Sequence, residues 1–451
     1  MSNKTFRCWE PDQEVLFPPS IKDFVPHNHL AHFVRDLVRN DLDLSGILAR
    51  YSELRGQPPY HPALMTSLLL YGYSRGIYSS RRIERACEER VDFMALTGGE
   101  KPDHSTICQF RSDHRDALSE LFVQVLALCR DAGMVKLGHV ALDGTKMKAN
   151  ASKHAAMSYA RMKRREPELA KLVDEWMKEA GSADEEEDEE HGPDRRGDEM
   201  PKHMREKIKK LVKMREAMAR LESEAEQKAA SVAEERKERE KELGHKLGGP
   251  KPQALSGEPD DKAQSNFTDP ESRIMKTTDG YEQAYNCQAG VDAGSQVIVC
   301  HGVTAKQNDH DELMPMMDQI EKNTGCLPKE TSADTGYCSE RNIEALEARE
   351  IRGYIATGRQ KHGTASATGN EEKRRGPRTR AMRTRLRRGG WRSHYRLRKH
   401  TVEPVFGQIK EARGFRRFLR RGLENVSGEW ALLCTVHDML KLAAFLGVVG
   451  I

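Results

Sequence analysis

Two short apolar stretches, far apart in the chain, each end on an aspartate that is soon followed by glycine. Asp143 lies in HVALDGTKMKAN, and Asp334 lies in ETSADTGYCS. Short apolar runs that close on Asp, Gly and Ser are typical of β-strands, so each carboxylate is predicted at the end of a strand. After Asp334, the helix-like run ERNIEALEARE precedes the strand-like RGYIATG. This alternation indicates parallel strands joined by crossover helices and predicts an α/β fold.

A third acidic residue, Glu403, lies in the most basic part of the chain. From Glu371 to Arg421 there are 19 lysines and arginines against 4 acidic residues. A stretch with this charge is expected to bind phosphates. A carboxylate among phosphate-binding arginines weakens that binding unless it has a separate task, such as holding a divalent metal ion.

Asp143, Asp334 and Glu403 are predicted to be both the catalytic residues and the metal ligands of an enzyme. Three carboxylates within about 4 Å of one another would repel by roughly 4 kcal/mol per pair at an effective dielectric constant of about 20, so the cluster requires cations. Carboxylate oxygens suit Mg²⁺, for which Mn²⁺ can substitute. Two such ions about 3.5 to 4 Å apart would activate an attacking oxygen and stabilise the leaving oxygen of a phosphodiester.

The residues around these acids resemble the catalytic blocks of bacterial insertion-sequence transposases of the DDE class. The blocks are ALDGTK, SADTGY and a Y-x2-R-x4-E-x6-K pattern formed by Tyr395, Arg398, Glu403 and Lys410. The resemblance extends to YHPALMTSLLLYGYSRGIYSSRRIERACEERVDFMALTG, PDHSTICQFR and SRIMKTTDGYEQAYNCQAGVD. The family pattern usually has three residues between Arg and Glu, whereas this chain has four, so Lys399 competes with Arg398 for the arginine's role.

The resemblance implies a cut-and-paste DNA transposase with an RNase H-like core. Its expected reaction is Mg²⁺-dependent cleavage at inverted repeats, which frees a 3′-OH that then attacks target DNA. Tyr395, Arg398 or Lys399, and Lys410 would hold DNA phosphates beside the metals. The expected partners are double-stranded DNA and a second copy of the chain, since two ends must be joined. Two alternatives remain, a structure-selective nuclease with the same core and a non-catalytic DNA-binding protein descended from a transposase.

Composition and periodicity divide the chain into three predicted regions. Residues 1–135 have helical spacing and are predicted to bind DNA and to dimerise. Residues 136–154 and 261–451 are predicted to form the catalytic domain, a mixed sheet with flanking helices, which 155–260 interrupts as an inserted helical hairpin and linker. In the first region, Arg81, Arg82 and Arg85 would share one side of a helix, either contacting DNA phosphates or forming an ordinary solvated face.

Within the insertion, residues 155–180 and 201–247 have helical patterns, and the second has coiled-coil spacing of apolar residues. The acidic stretch 181–197 is predicted to be the turn between them. Residues 248–270 are rich in Pro, Gly and Ser and are predicted to be a linker. The basic, Gly-rich segment 360–392 is predicted to be mobile without DNA.

Several other polar residues could bind metal, but a structural role is the simpler interpretation for each. Asp103, His104 and Asp113 flank an apolar helical run, where such residues satisfy free helix N–H groups. Asn308 and Asp309 also precede a helix, so capping is preferred for them.

Asp309 and Asp311 are kept as reserve metal ligands. His61 and Tyr60 are expected to cap or to be buried, and His437 lies in an apolar helix where a core role is expected.

Composition limits the class of protein further. The chain has 451 residues, a net charge of +4 and 32% charged residues, so the two signs are segregated along it. Nine cysteines, an odd number without a C-x-x-C pair, argue against a disulfide framework or a zinc site of that type. With no apolar run of about 18 residues, the expected location is the bacterial cytoplasm, at the nucleoid when bound to DNA, with no membrane association.

Overall fold

The structure is a computed structural model and describes residues 20–51, 58–191, 202–245, 256–277, 280–358, 368 and 376–448. It is a mixed α/β protein in which one six-stranded mixed sheet is surrounded by helices. In the described ranges, no helix has the length and apolar character that crossing a bilayer requires.

Within the residues that the structure describes, seven α-helices precede the first strand. Capping explains where two of them begin. Pro62 is the first residue of α3, and His61 Nδ1 accepts a hydrogen bond from a backbone N–H of that helix at 3.1 Å. Asp103 accepts hydrogen bonds from two backbone N–H groups of α6, at 2.8 and 3.0 Å, so the capping roles predicted for His61 and Asp103 are confirmed. The helices are α1 (Leu30–Asn40), α2 (Ser45–Leu48), α3 (Pro62–Ser74), α4 (Ser80–Glu89), α5 (Val91–Thr97), α6 (His104–Asp113) and α7 (Arg115–Asp131).

The rest of the chain alternates strands and helices. The strands are β1 (His139–Lys148), β2 (Ala156–Ser158), β3 (Gln264–Asn266), β4 (Arg273–Thr277), β5 (Gly280–Asp292), β6 (Ile298–Thr304), β7 (Glu330–Ala333) and β8 (Arg352–Ile355). The helices are α8 (Tyr159–His191), α9 (Lys202–Leu243), α10 (Leu313–Thr324), α11 (Glu340–Ala348), α12 (Pro377–Gly389), α13 (Leu397–Gly407) and α14 (Leu423–Phe445).

The main sheet has the strand order β4-β5-β1-β7-β8, and β6 pairs with β5 beyond the end of β4. Strand β5 is antiparallel to β1, β4 and β6, whereas β1, β7 and β8 are parallel. The predicted β5–β6 hairpin and the parallel strands with a crossover helix are therefore confirmed. Because β1 lies in the middle, its residues contact both halves of the sheet.

One continuous cluster of buried apolar side chains joins the N-terminal helices to the sheet. Helix α14 lies between them and packs on α3, α7 and β6. The indole Nε1 of Trp430 on α14 donates to the carbonyl oxygen of Gln288 on β5 at 3.1 Å. His437 on the same helix is buried, with Nε2 3.0 Å from the carbonyl oxygen of Gln296, which confirms its predicted core role.

The insertion is attached to the sheet by a narrow neck. Strands β2 and β3 pair antiparallel, so the chain enters and leaves the insertion at one place. Two predictions need correction here. The predicted linker 248–270 contains β3, and helix α8 continues to His191, through part of the predicted acidic turn 181–197. Ala and Glu are good helix formers, which offsets the cost of about 1 kcal/mol for Gly181. Residues 192–201 lie outside the described residues.

The basic segment 360–392 also differs from its prediction. It contains helix α12, whose first backbone N–H groups, those of Arg378 and Thr379, donate to the Glu340 carboxylate at 3.1 and 2.8 Å. Met382 and Leu386, one helical turn apart, are buried on one side of α12. Because arginines outnumber the apolar residues of α12, this buried side could not be recognised from the composition of the segment. Residues 359–367 and 369–375 lie outside the described residues.

Candidate active site

Strands β1 and β7 bring two of the three predicted acids together. Their parallel register sets His139 opposite Glu330 at the start of the strands. Asp143 and Asp334 each lie four residues further along, beyond the last paired residues Ala141 and Ser332, and the Asp334 carboxylate is near enough to raise the pKa of Asp143. Side chains point to the same face of a strand at every second residue. The His139–Glu330 pair and the Asp143–Asp334 pair therefore share one face of the sheet.

The third acid comes from helix α13, which packs across β1, β5 and β7. Arg398 on this helix connects the acids: its Nη1 donates to Asp143 Oδ2 at 2.5 Å, and its Nη2 donates to Glu403 Oε1 at 3.1 Å. The Arg398 and Asp143 side chains are 14% and 13% exposed, whereas Glu403 is 45% exposed. Lys399 is exposed to solvent. Arg398 is therefore the cation that bridges the two carboxylates.

A fourth carboxylate, that of Asp309, lies beside Gly144, which follows Asp143, and Gly336, which lies two residues after Asp334. Strand β1 continues past Asp143 to Lys148, so the prediction that Asp143 ends a strand is wrong, whereas Asp334 directly follows the last residue of β7. A Cβ on Gly144 would lie 2.9 Å from Asp309 Oδ1, and a Cβ on Gly336 would lie 2.8 Å from Asp309 Oδ2. Both contacts are too close, so the two glycines allow the backbones to approach this side chain. The glycines of the two motifs thus leave room for Asp309 and, at Gly144, also for the side chains of Gln288 and Asn286.

Asp309 is held by amide donors on the neighbouring strand. Asn286 Nδ2 and Gln288 Nε2 donate to its Oδ1 at 2.5 and 2.7 Å, and Lys146 Nζ lies 3.8 Å from the same oxygen. The predicted capping role of Asp309 is wrong, because α10 begins at Leu313 and no side chain caps it. Neighbouring Asn and Asp residues before a helix look like a cap in the sequence, and only the register of β5 reveals the other role.

The other reserve ligand, Asp311, lies elsewhere. Its carboxylate is 68% exposed and pairs with Lys306 Nζ at 2.9 Å. This contact lowers the pKa of Asp311, first through the hydrogen bond from Lys306. Asp311 is thus an exposed surface acid, and the structure separates it from Asp309.

Burial makes the acidic site costly to ionise. It raises the pKa of Asp143 to about 7, although the Arg398 guanidinium opposes the shift; the Asp334 carboxylate adds to it. Burial also raises the pKa of Asp334, and the Asp309 carboxylate acts in the same direction. The positive charges of Arg398, beside both aspartates, and of Lys146, beside Asp334, do not offset the effect of burial on these pKa values.

Tyr395 and Lys410 flank this arrangement. The Tyr395 ring lies 5.9 Å from the Arg398 guanidinium, and burial raises the pKa of its hydroxyl. Lys410, in the π-helical turn Gln408–Ala412 after α13, donates from Nζ to Thr145 Oγ1 at 2.5 Å and to the Lys146 carbonyl oxygen at 2.9 Å. Two of its three N–H groups are used within the protein, so Lys410 fastens the end of this helical segment to β1.

The three predicted DNA-binding arginines near the N-terminus lie on α4 and are exposed. Arg85 forms an exposed contact with Glu89 at 3.9 Å. The opposite side of α4, including Ile83 and Cys87, is buried. Arg81, Arg82 and Arg85 therefore form a surface that is separate in the chain from the acids on β1, β7 and α13.

The site fits a hard divalent cation by the chemistry of its donors. Its ligands are carboxylate oxygens, which suit Mg²⁺ and Mn²⁺. Burial raises the pKa of Asp143, and a bound cation would favour its ionised form. Among the described residues, the oxygens of Asp143, Asp334 and Glu403 do not all lie within 4.8 Å of one another. A guanidinium, instead, lies between two of them.

Two protein families match separate parts of the chain. Residues 19–113 match the family described as Transposase domain (DUF772), and residues 252–439 match the family described as Transposase DDE domain. The second match contains Asp309, Asp334 and Glu403, whereas Asp143 precedes it. No curated protein and no solved structure matches the chain.

Proposed function

The chain belongs to the DDE class of insertion-sequence transposases, and we propose that it binds the inverted repeats of a mobile element and catalyses strand cleavage and strand transfer at its ends. The observation that supports this proposal is that Arg398 donates hydrogen bonds to Asp143 and Glu403, which come from separate segments, and that its charge also acts on Asp334 from a third segment. An ordinary salt bridge needs one acid, and a surplus of buried carboxylates is costly without cations.

We assign Asp143, Asp334 and Glu403 as the ligands of Mg²⁺ ions. When bound, such ions activate the attacking oxygen and stabilise the leaving oxygen of a phosphodiester. Asp309 is assigned a supporting role, because the amides of Asn286 and Gln288 hold it beside Gly144 and Gly336. It adds negative charge beside Asp334 and thereby strengthens the site for cations.

Arg398 has two tasks in this proposal. In the protein alone it orients the Asp143 and Glu403 carboxylates through two charge-assisted hydrogen bonds. On DNA its planar donors suit a phosphate, since phosphate and carboxylate oxygens fit the same fork. Tyr395 is not needed as a nucleophile, because burial raises its pKa and keeps the hydroxyl neutral.

DNA is proposed to bind along the basic side of α12. A groove of about 730 Å³ lies beside this helix and leads to His394, just before α13. Four arginines line it, so phosphates rather than bases are the expected contacts. These residues are Arg352, Arg385, Arg388 and Arg392. Arg81, Arg82 and Arg85 on α4 are proposed as a second contact with the element's ends, and a dimer is proposed because two ends must be joined.

The test is a reaction of the purified full chain with DNA that carries the sequences on either side of its gene. With Mg²⁺, we expect cleavage at both ends and joining of the freed 3′-OH to a target plasmid. Ends that are already cut should be joined without a cleavage step. Cleavage without joining would favour a structure-selective nuclease, and binding without either reaction would favour a non-catalytic DNA-binding protein.

A further inference from the structure

A second group of metal-ligand side chains lies at the other end of the paired strands. In the described part of the chain, one group of three His, Cys, Asp or Glu side chains has its ligand atoms all within 4.8 Å of one another. It consists of His139 at the start of β1, Glu330 at the start of β7 and His394 before α13. Glu330 Oε2 lies 3.5 Å from His139 Nδ1 and 2.5 Å from His394 Nδ1.

We propose that His139, Glu330 and His394 bind one Zn²⁺ ion that fastens α13 to the sheet. Two imidazoles and one carboxylate are a ligand set of zinc sites in proteins, and imidazole nitrogen is a poor ligand for Mg²⁺. Ligand atoms about 2.0 Å from a tetrahedral zinc are separated by about 3.3 Å. The 3.5 Å separation is close to this value. The 2.5 Å separation requires a small movement of His394, which is 53% exposed.

The hydrogen-bond partner of Nε2 would leave Nδ1 of His139 available to an ion that replaces its contact with Glu330. Its other nitrogen, Nε2, lies 2.9 Å from Ser332 Oγ. If Nε2 carries the proton and donates it to that hydroxyl, Nδ1 carries no proton and faces Glu330. A hydrogen bond on the second nitrogen is the usual way in which proteins orient a histidine ligand.

Glu330 is oriented in a similar way. Its Oε1 accepts a hydrogen bond from the Tyr354 hydroxyl at 3.4 Å and lies 4.0 Å from Arg352. Its Oε2 is left to the two imidazoles. The half-exposed His394 makes solvent the natural source of a fourth ligand, as in zinc sites that have three protein ligands and one water.

The three proposed zinc ligands lie on the same segments as the three acids of the proposed active site. His139 shares β1 with Asp143, Glu330 lies on the strand that leads to Asp334, and His394 precedes the helix that carries Glu403. One ion would thus connect the three segments that supply the acids. The zinc site itself does not depend on the proposed transposase chemistry, since it rests on ligands at the opposite end of the strands.

Zinc binding can be measured without an activity assay. The full chain is stripped with a chelator, dialysed, and titrated with Zn²⁺ in the presence of excess Mg²⁺, which occupies hard oxygen sites. We expect one Zn²⁺ per chain and, at zinc about 100-fold above its dissociation constant, a rise in melting temperature of about 3 °C. Co²⁺ at the same site should give visible absorption of a nitrogen-ligated ion.

Variants distinguish this site from others. Glu330→Gln and His394→Ala, whose side chains are both partly exposed, should lose the bound zinc and the zinc-induced rise. The exposed His400 on α13 provides a matched histidine control, since His400→Ala should keep both. An Asp143→Asn, Glu403→Gln double variant should also still bind zinc, which separates this site from the acidic one.

The proposal is overturned if the wild-type chain binds no zinc under these conditions. It is also overturned if Glu330→Gln and His394→Ala bind as much zinc as the wild type, because the exposed Cys108 and Cys326 or other groups would then be the ligands. Comparing each protein with and without zinc removes the effect of the Glu330–His394 contact on stability itself.

Discussion

The two ends of the paired strands β1 and β7 carry different chemistry on the same face of the sheet. At the start of the strands, the single carboxylate of Glu330 faces two imidazoles. Further along, Asp143 and Asp334 share their surroundings with Glu403 and Asp309, and burial raises the pKa of both aspartates. The two ends are connected by the parallel pairing of β1 with β7. We therefore expect the end with two imidazoles to hold α13 against the sheet and the end with several carboxylates to bind additional cations.

This difference matters because the carboxylate at the first end faces only imidazoles, whereas the carboxylates at the second end repel one another. Buried carboxylates that lack sufficient counter-charge raise their pKa values and bind cations strongly. A site of this kind is suited to reactions at phosphates and is poorly suited to stabilising the fold. The following experiments test whether the two ends separate into these two roles.

The largest expected effect is loss of cleavage when an acid of the proposed active site becomes an amide. Asp143→Asn, Asp334→Asn or Glu403→Gln should each lower the cleavage rate at least about a thousand-fold, equivalent to about 4 kcal/mol, because a metal ligand is lost. DNA-end binding, measured by gel shift, should stay within a few-fold. Asp311→Asn is the matched control, since that acid is exposed and paired with Lys306. Retained cleavage in any of the three would remove that residue from the site.

A smaller effect is expected for Asp309. Asp309→Asn preserves the shape of the side chain and removes its charge, so cleavage should fall by about 10- to 100-fold, as for groups that support metal ligands. Raised Mg²⁺ should restore part of the rate, because the deficit lies in cation binding. A rate equal to that of Asp311→Asn would show that Asp309 acts only as packing between Gly144 and Gly336.

The pH dependence of stability should reveal the surplus charge directly. Asp143 has a pKa of about 7 in the folded protein, above the ordinary value of 3.8. Between these values the folded state binds more protons than the unfolded state. Its stability relative to Asp143→Asn should therefore fall as pH rises from about 4 to about 7, by at most about 1.4 kcal/mol per pH unit.

The measurement is the difference in unfolding free energy between wild type and Asp143→Asn in chelator, followed across this pH range. Saturating Mg²⁺ should remove most of the slope, because a bound cation favours the carboxylate. A difference that stays constant with pH would mean that Arg398 compensates Asp143 fully.

Much of the acidic end could be predicted from the sequence, because each acid has a local signature. Asp143 and Asp334 close apolar runs, and Glu403 stands out against a basic background. Asp309 was misassigned because its partners, Asn286 and Gln288, lie on another strand, and their approach depends on the register of β5. Local patterns identify residues at the ends of elements, but they do not give the register between elements.

The group at the other end of the strands has no comparable signature. His139, Glu330 and His394 are single residues in unrelated segments, with no ligand spacing of the kind that marks a zinc finger. Their meeting follows from the parallel pairing of β1 with β7 and from the position of the turn before α13. Similarly, the buried side of α12 was hidden by its arginines, since the average charge of a segment says little about where its few apolar residues point.

The smallest effect is expected from a change at the start of the strands. Glu330→Gln should lower the cleavage rate by no more than about threefold, near 0.6 kcal/mol, when it is assayed well below the melting temperature. The reason is that α13 has other attachments, including the Lys410 hydrogen bonds to Thr145 and to the Lys146 carbonyl oxygen. The same variant should lose zinc, whereas Asp143→Asn, Asp334→Asn and Glu403→Gln should keep it. A hundred-fold loss of cleavage would instead mean that the two ends act as one catalytic unit and that the fastening positions Glu403 during the reaction.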